Sequence, residues 1–181
     1  MLKRMKNNTI TADVTFRLTQ ESDIALLPAI ERSAAQAFRQ IPAFAWLADG
    51  PVLDRHQHRL YLEAGHSLVA AADGQAIGFL LSEPLDDALF IVEVSVHQAW
   101  QGKGIGQAMI RHTIDSARRD GYPAVTLTTF RDVPWNAPFY TRLGFRMLNE
   151  QRLPSGLAAK RRQEIAHGLP PETRCAMRLA L

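Results

Sequence analysis

Three closely spaced glycines, Gly102, Gly104 and Gly106, constrain this chain more than any other feature. They follow a β-rich segment at 89–96 and precede an amphipathic helical pattern, so the chain passes from a strand into a helix through a turn with few side chains. In such a turn several backbone N–H groups can point to one spot, close to the positive end of the helix dipole. The stretch therefore predicts an anion-binding site, and a pyrophosphate-bearing cofactor is the working hypothesis.

The chain length and the even distribution of charge limit the classes of protein that the sequence can encode. With 181 residues, 46% of them hydrophobic, the chain can build one α/β domain with a sizeable core, and no linker divides it. We predict a single domain over residues 1–181, with a flexible segment at 1–12. The net charge of +3 suits a phosphate-rich small ligand, but the basic residues form no cluster, so we expect no nucleic-acid partner.

The N-terminal segment and the single cysteine bear on where the protein works. The basic N-terminus precedes no apolar segment, and no run of residues approaches the length of a transmembrane helix. Cys175 has no partner for an internal disulfide bond and lies in an alternating pattern typical of a buried strand. We expect a cytoplasmic protein without a membrane partner, and the sequence leaves a homodimer open.

Hydrophobic periodicity and turn residues predict the elements before the glycine turn. These are, in order, a strand at 14–18, a helix from 19 to about 38, a loop at 41–51 suited to covering a pocket, and a helix from Pro51 to 63. Two apolar runs joined by Asp73-Gly74 predict a hairpin with strands at 67–72 and 76–81, and Glu83-Pro84 ends the second strand. A long strand follows at 89–96, so three antiparallel strands precede the glycines.

The elements after the glycine turn begin with a helix and a parallel strand. The amphipathic pattern predicts a helix to Asp120, ended by Gly121, and a strand at 124–129 that lies parallel to the strand at 89–96. The rest of the chain predicts, in order, a short helix that Asn136 caps and Gly144 ends, a strand at 145–149, a polar helix or ordered loop at 155–167, and a strand at 175–181.

The glycine turn does not fit two common nucleotide-binding motifs. A dinucleotide fingerprint that starts at Gly102 requires a glycine in its sixth position, where the chain has Gln107. A Walker A loop requires Ser or Thr after Gly-Lys, whereas Gly104 follows Lys103. The antiparallel strands upstream are also wrong for the doubly wound sheet of a dinucleotide-binding fold.

The turn instead resembles the pyrophosphate loop of a large enzyme family. Gln101-Gly-Lys-Gly-Ile-Gly is similar to the Gln/Arg-x-x-Gly-x-Gly/Ala loop of the GNAT superfamily of acyl-CoA-dependent N-acyltransferases. About thirty-five residues downstream, Asn136, Phe139, Tyr140 and Gly144-Phe145 resemble the second signature of that family. The order of predicted elements agrees over most of the chain. The resemblance implies a mixed α/β fold with a central, mostly antiparallel sheet, one splayed parallel strand pair and flanking helices.

The resemblance also implies acetyl-CoA as the co-substrate. The pyrophosphate would be bound by the loop residues, which are Gln101, Gly102, Lys103, Gly104, Ile105 and Gly106. Lys103 either contacts phosphate directly or is a solvated basic residue that adds long-range attraction. The pantetheine arm would enter between the splayed strands and bond to the backbone at Val94 and Val96, with an N–H near Val94 facing the thioester oxygen. Asn136 either caps its helix or contacts the cofactor, and Phe139 packs in the core or on pantetheine.

Two residues are the candidates for the chemistry of amine acetylation. An alkyl ammonium with a pKa of about 10 must lose a proton before it attacks, and many members of the family place a Glu in this strand for that purpose, which makes Glu93 the candidate base. An ammonium anchor and a solvated surface residue remain alternatives for Glu93, while Ser95 and His97 are weaker candidates. Tyr140 is the candidate acid, because a phenol can protonate a thiolate whose pKa is about 8.5, and a core aromatic residue is the alternative.

These residues together predict an N-acetyltransferase that transfers an acetyl group from acetyl-CoA to a primary amine by direct attack in a ternary complex. The acceptor is a small-molecule or peptide amine. The alternative is an acyl-CoA-binding sensor or interaction module without turnover. His56 and His58 fall on different faces of a helix with no third ligand nearby in sequence, so we expect no metal site.

Overall fold

Residues 13–181 are described by a computed structural model, and the flexible segment predicted at 1–12 lies outside them. Seven strands form one sheet in the order β1-β2-β3-β4-β5-β7-β6. The strands are β1 (Val14–Leu18), β2 (Ser67–Ala72), β3 (Gln75–Leu85), β4 (Ala88–Val96), β5 (Ala124–Phe130), β6 (Arg146–Met147) and β7 (Arg174–Ala180). The α-helices of this range are α1 (Leu27–Ala35), α2 (Arg55–Glu63), α3 (Ile105–Arg119), α4 (Ala137–Arg142) and α5 (Ser155–Ala166). None of them is long and apolar enough to span a bilayer.

The pairing of β4 with β5 determines the shape of the sheet. It is parallel, whereas every other strand pair is antiparallel. The two strands pair only from Leu89 to Ile91 on β4, although β4 continues to Val96. Beyond Ile91 the strands therefore diverge and leave backbone groups of β4 without a β5 partner. This confirms the predicted mixed α/β fold with one splayed parallel pair.

A β-bulge lies in β4 at the point where the strands diverge. On β3, Leu81 is opposite Glu93 and the next residue, Ser82, is opposite Ile91, so Val92 is one residue more than the pairing needs. A bulge bends its strand and changes the face to which the following side chains point. The bulge thus sets the direction in which Glu93 leaves the sheet.

Both faces of the sheet are buried, which explains why every residue of β2 is buried. On one face, Leu68 and Ala70 pack in the same cluster as Met109 and Ile110 of α3. On the other face, Val69 packs with Leu27 and Ile30 of α1, in a cluster that also contains Ile24, Phe79 and Leu81. Burial of each Leu, Ile, Val, Met or Phe side chain in these clusters stabilises the fold by about 1.5–3 kcal/mol relative to exposure. α1 and α3 are thereby fixed on opposite faces of the sheet.

The first half of the chain differs from the prediction in its helices. The predicted helix to residue 38 ends as an α-helix at Ala35 and continues as a 3-10 helix over Gln36–Gln40, and the predicted loop at 41–51 contains a further 3-10 helix at Pro42–Asp49. α2 begins at Arg55 rather than at Pro51, because Asp54 caps it. The Asp54 carboxylate accepts from the Gln57 N–H at 2.8 Å, and the Gln57 side chain accepts from the Asp54 N–H at 2.9 Å.

The hairpin turn agrees with the prediction, but two strand ends do not. Asp73 and Gly74 both have positive φ, at 49° and 77°, as an Asp-Gly hairpin turn requires. β3 runs past Pro84 to Leu85. Pro84 has no backbone N–H, but the pairing of β3 with β2 already ends at Leu81, so no hydrogen bond between these strands is lost. β6 is only Arg146–Met147, shorter than the predicted 145–149, and the segment predicted as helix or loop at 155–167 is the helix α5.

Candidate active site

A cavity of about 940 Å³ opens where β4 and β5 diverge. Its walls come from α1, the diverging ends of β4 and β5, the glycine turn, α4 and α5. All the site residues predicted from the sequence line it except Lys103. They are Glu93, Val94, Val96, Gln101, Gly102, Gly104, Ile105, Gly106, Asn136, Phe139 and Tyr140. The fold therefore brings residues from three separate parts of the chain to one opening.

The glycine turn leaves open space in front of the first turn of α3. Gly102 and Gly104 have φ values of +75° and +80°, which favour glycine, and a Cβ added at either would meet no atom within 4 Å. Gly104 is the N-cap of α3 and provides no side chain to bond the first amides of the helix. These amides are thus available to an anion, and each charge–dipole contact at such a site contributes about 0.3–1 kcal/mol when exposed.

The residues that flank the turn hold it against β4. The Gln101 side-chain amide donates to the Val96 carbonyl at 3.0 Å. The His97 Nδ1 atom accepts from the Ala99 N–H at 3.1 Å, so His97 serves the short 3-10 turn after β4 and does not line the cavity. The Lys103 ammonium lies 6.0 Å from the centre of the Trp100 ring.

Glu93 lies in the cavity, half-buried, immediately after the bulge of β4. Its Oε1 atom accepts from the Ser95 hydroxyl at 2.8 Å, which places both side chains on the same side of the strand. Burial raises the pKa of the Glu93 carboxyl, while the Ser95 hydroxyl, the positive charge of Arg174 and the Val94 backbone N–H act in the opposite direction. The solvated-surface interpretation of Glu93 is therefore wrong, and the base and the ammonium anchor remain.

Tyr140 projects from α4 into the same cavity and is only 8% exposed. Its ring makes edge contacts with Phe139 and Phe145, at centroid distances of 5.3 and 5.6 Å. Its hydroxyl has no hydrogen-bond partner among the described residues. Burial and the nearby Glu93 raise the pKa of the Tyr140 phenol, and Arg174 lowers it to a smaller extent. The phenol therefore stays protonated at neutral pH with its donor free.

Asn136 occupies the N-cap position of α4, but its side chain does not cap the helix. The second helical residue is Pro138, which has no N–H to donate to a cap. The Asn136 amide nitrogen donates to the Trp135 carbonyl at 3.3 Å, while its Oδ1 atom is buried without a partner. An unpaired buried acceptor that lines a cavity is a site for a ligand N–H. Of the two interpretations of Asn136, the capping bond is wrong.

Glu31 of α1 is a cavity residue that the sequence analysis did not identify. Its Oε2 atom accepts from the Leu53 N–H at 3.0 Å. Burial, together with the charge of Glu93, raises the pKa of Glu31 to about 8. The sequence did contain a signal for this residue. Glu31 lies four residues after Leu27 and three before Ala34, so it falls on the buried face of the helix, where a carboxylate is unusual.

Aromatic rings form the cavity wall opposite the glycine turn. Phe38 makes edge contacts with Phe130 and Trp135 at 5.5 and 5.7 Å, and these three rings line the cavity. Phe44 packs on Phe130 at 4.4 Å, and Trp46 of the same segment is half exposed. The segment at 41–51 thus borders the cavity, as predicted, with Phe44 behind the wall.

The cationic group nearest to this wall is neutralised within the fold. The Arg174 guanidinium lies 4.5 Å from the Phe130 ring and donates to both carboxylate oxygens of Glu164, at 2.8 and 3.2 Å. Arg161 also donates to Glu164, at 2.7 Å. These contacts lower the pKa of Glu164 despite its burial, so Arg174 and Glu164 form an internal ion pair.

The histidines do not form a metal site in the part of the chain that the structure describes. No group of three His, Cys, Asp or Glu side chains is placed to hold a metal ion in residues 13–181. His56 is exposed, whereas His58 is fully buried against Phe79 with neither ring nitrogen bonded. Burial lowers the pKa of His58, so it is a neutral core residue at pH 7.

Comparison with known sequences identifies relatives for most of this region. Residues 29–145 match the profile of the Acetyltransferase (GNAT) family. An L-2,4-diaminobutyric acid acetyltransferase from Nocardia farcinica is 29% identical over 106 residues, which are 54% of this chain and 55% of that protein. A probable N-acetyltransferase, camello, from Xenopus tropicalis is 30% identical over 107 residues, which are 58% of this chain and 49% of that protein. The chain spans about half the length of the curated relatives it matches.

Comparison with solved structures identifies the same fold at low sequence identity. N-acetylglutamate synthase from Neisseria gonorrhoeae, complexed with coenzyme A and N-acetyl-glutamate, superposes with a TM-score of 0.70 and 18% identity, over 94% of this chain and 35% of that one. The PaiA N-acetyltransferase from Thermoplasma acidophilum, in complex with coenzyme A, superposes with a TM-score of 0.68 and 13% identity, over 93% of this chain and 99% of that one.

Proposed function

Since this chain belongs to the GNAT acetyltransferase family, we propose that it transfers an acetyl group from acetyl-CoA to a primary amine by direct attack in a ternary complex. One observation carries the proposal. The divergence of β4 from β5, the glycine turn, Glu93 and Tyr140 share a single cavity. A protein that only bound CoA would not require the last two residues beside the opening. The L-2,4-diaminobutyric acid acetyltransferase relative supports a small amine as the acceptor.

The residues of the cavity fit the chemical groups of CoA. The open amides at the start of α3 suit the pyrophosphate. Beyond Ile91, β4 has no β5 partner, so we assign backbone groups at Val94 and the N–H of Val96 to the amides of the pantetheine arm, while the Val96 carbonyl accepts from Gln101. The Asn136 Oδ1 atom accepts a further N–H. Lys103 lies outside the cavity lining, so we assign to it only long-range attraction for the phosphates.

Glu93 is the proposed base for the acceptor. Acetyl-CoA supplies an acetyl group activated as a thioester, and the attacking amine must first lose a proton from an ammonium whose pKa is about 10. A carboxylate takes this proton more readily when burial has raised its pKa, as burial does for Glu93. The backbone N–H near Val94 would stabilise the negative charge that develops on the carbonyl oxygen.

Tyr140 is the proposed partner of the leaving sulfur. The pKa of the Tyr140 phenol is raised above its ordinary value of about 10. A thiol has a pKa of about 8.5, so complete transfer of the phenol proton to the thiolate is energetically unfavourable. We therefore assign Tyr140 as a hydrogen-bond donor that stabilises negative charge on sulfur while that charge develops. A donor of this kind contributes most inside a dry site, and Tyr140 is buried.

Direct attack agrees with the position of the single cysteine. Cys175 is 1% exposed on β7 and does not line the cavity. Burial raises the pKa of its thiol, which lowers its nucleophilicity at neutral pH. Cys175 therefore has no part in the proposed transfer.

Release of free thiol from acetyl-CoA, measured with a panel of amines, tests the proposed function. We expect release that depends on the amine, and we expect Glu93→Gln to lower kcat by about 10²- to 10⁴-fold, the usual contribution of a general base. Calorimetry should show that the variant still binds CoA. Tight CoA binding without release for any amine would instead indicate a binding module.

A further inference from the structure

Two carboxylates, Glu31 and Glu93, lie in the same cavity, and neither is paired with a cationic side chain of the described residues. Glu31 comes from α1 and Glu93 from β4, so they enter the cavity from different elements. Within residues 13–181, neither has a basic nitrogen within 4 Å. Nearby Arg174 is bonded to Glu164 and stacked on Phe130. The described fold therefore provides neither carboxylate with an ion-pair partner.

A second observation indicates that a ligand completes this region. Tyr140 is more than nine-tenths buried and lines the same cavity, and its hydroxyl has no partner among the described residues. It lies close enough to Glu93 for the charge of that carboxylate to act on it. The hydroxyl is therefore available to a ligand that enters the cavity.

We propose that the acceptor carries a second cationic group, and that Glu31 binds this group while Glu93 faces the reacting amine. This inference rests on the proposed function. Glu93 belongs to β4 and is adjacent to Val94, whose backbone is assigned to the thioester, so the reacting nitrogen lies on its side. Glu31 approaches from α1, and its Oε1 atom is available to the far end of the acceptor, since the Leu53 N–H bonds to Oε2.

The wall beside Glu31 indicates the chemistry of the spacer between the two cationic groups. Small or apolar side chains line this wall, from α1 and the two 3-10 helices after it, namely Ala34, Ala35, Ala37, Phe38 and Leu47. A hydrocarbon spacer is desolvated favourably on such a surface. The acceptor class is therefore an aliphatic diamine, or a compound that contains one.

The protonation of the carboxylate pair agrees with this class. Burial and the charge of Glu93 raise the pKa of Glu31 to about 8, so the pair holds a proton at neutral pH in the absence of a cation. An ammonium beside Glu31 favours its ionised form, so a diamine should bind with release of a proton. The charged and titratable groups around the pair are Arg32, which is next to Glu31 on α1, and, from other parts of the cavity lining, Tyr140, Lys160, Glu164, His167 and Arg174.

Cadaverine and pentylamine test the inference, because they share a chain length and differ only in the second amine. We expect kcat/KM for acetylation to favour cadaverine by about 10- to 100-fold, the usual contribution of a hydrogen bond to a charged group. Glu31→Gln should abolish this preference through a higher KM for cadaverine, and Glu31→Asp, which keeps the charge, should restore part of it. Glu63→Gln removes an exposed carboxylate of α2 and should keep the preference.

Calorimetry with free CoA in place of acetyl-CoA measures the same preference without turnover. We expect cadaverine to bind the CoA complex more tightly than pentylamine, with proton release, and we expect Glu31→Gln to remove both effects. Equal affinity for the two amines, or a preference that survives Glu31→Gln, would overturn the inference. If no amine releases thiol but cadaverine still binds through Glu31, the proposed function fails and the diamine site stands.

Discussion

Tyr140 is held in place by the rings on either side of it, while its hydroxyl lies free in the cavity. Removal of the hydroxyl should leave the packing intact, since phenylalanine keeps the ring contacts. We expect Tyr140→Phe to lower kcat by about 10- to 10³-fold, because the developing thiolate loses its donor, with little change in CoA affinity.

Tyr61→Phe is the matched control for this prediction. The Tyr61→Phe substitution also removes a partly buried hydroxyl, which donates to Glu83 at 3.3 Å, but Tyr61 does not line the cavity. Steady-state kinetics with both variants separate a chemical role from a general effect of hydroxyl removal. Full activity of Tyr140→Phe would remove this residue from the mechanism.

Glu31 gives the stability of the protein a distinct pH dependence. Its pKa is about 8 in the folded chain against an ordinary value of 4.5, so between these values the folded state binds more protons than the unfolded state. The free energy of unfolding therefore falls as the pH rises through this window. Glutamine cannot ionise, so we expect Glu31→Gln to have a higher Tm than the natural chain at about pH 8.

Thermal denaturation at pH values from 4 to 8 checks this expectation. The two Tm values should converge below the ordinary pKa of 4.5, where Glu31 is protonated in both states. A difference in Tm that is the same at every pH would show that Glu31 is not a buried, titrating carboxyl.

At the scale of elements, the glycine turn and the start of α3 form the proposed pyrophosphate site. Gly104→Glu places a carboxylate in the open space in front of the helix, so we expect it to abolish CoA binding by repulsion as well as by occupancy. Gly121→Glu is the matched control, because Gly121 also has a φ of +80° and open space around it but lies outside the cavity.

Calorimetric titration of both variants with CoA distinguishes the two effects of the substitution. Each variant carries the same left-handed backbone strain, about 1–2 kcal/mol, so both should lose similar stability. Only Gly104→Glu should lose CoA. Unchanged affinity in that variant would contradict the assignment of the turn.

Local sequence signals were sufficient for several elements and insufficient for others. The Asp73-Gly74 turn and the glycine turn before α3 were predictable, because positive φ angles at these positions favour the residues found there. The start of α2 was missed because Pro51 and Asp54 are both plausible helix starts, and the reciprocal bonds between Asp54 and Gln57 decide between them.

The side chains that face the cavity depend on contacts between distant parts of the chain. Glu93 could be proposed from its strand and motif, but its direction depends on a bulge at Val92 that no single residue type signals. Glu31 enters the site because α1 packs across β3 and β4, which periodicity alone does not determine. The capping bond of Asn136 was predicted from residue type, but its side chain makes no such bond, and Pro138 removes one of the two N–H groups that could donate it.

At the scale of the whole molecule, the sheet holds two sets of residues on either side of one opening. α3 carries the glycine turn on one side, and α1 carries Glu31 on the other, while β4 with Glu93 lies between them. This arrangement allows cofactor and acceptor to be bound together before transfer. The proposed ternary complex with direct attack agrees with this arrangement and requires no covalent enzyme intermediate.

Mass spectrometry after a single turnover tests this central claim most directly. The protein, in excess over acetyl-CoA, is mixed with an amine acceptor, and the masses of both protein and amine are followed in time. The account predicts an acetyl group on the amine, with no acetylated protein at any time. An acetyl group that appears first on the protein and then on the amine, or that never reaches any amine, would contradict it.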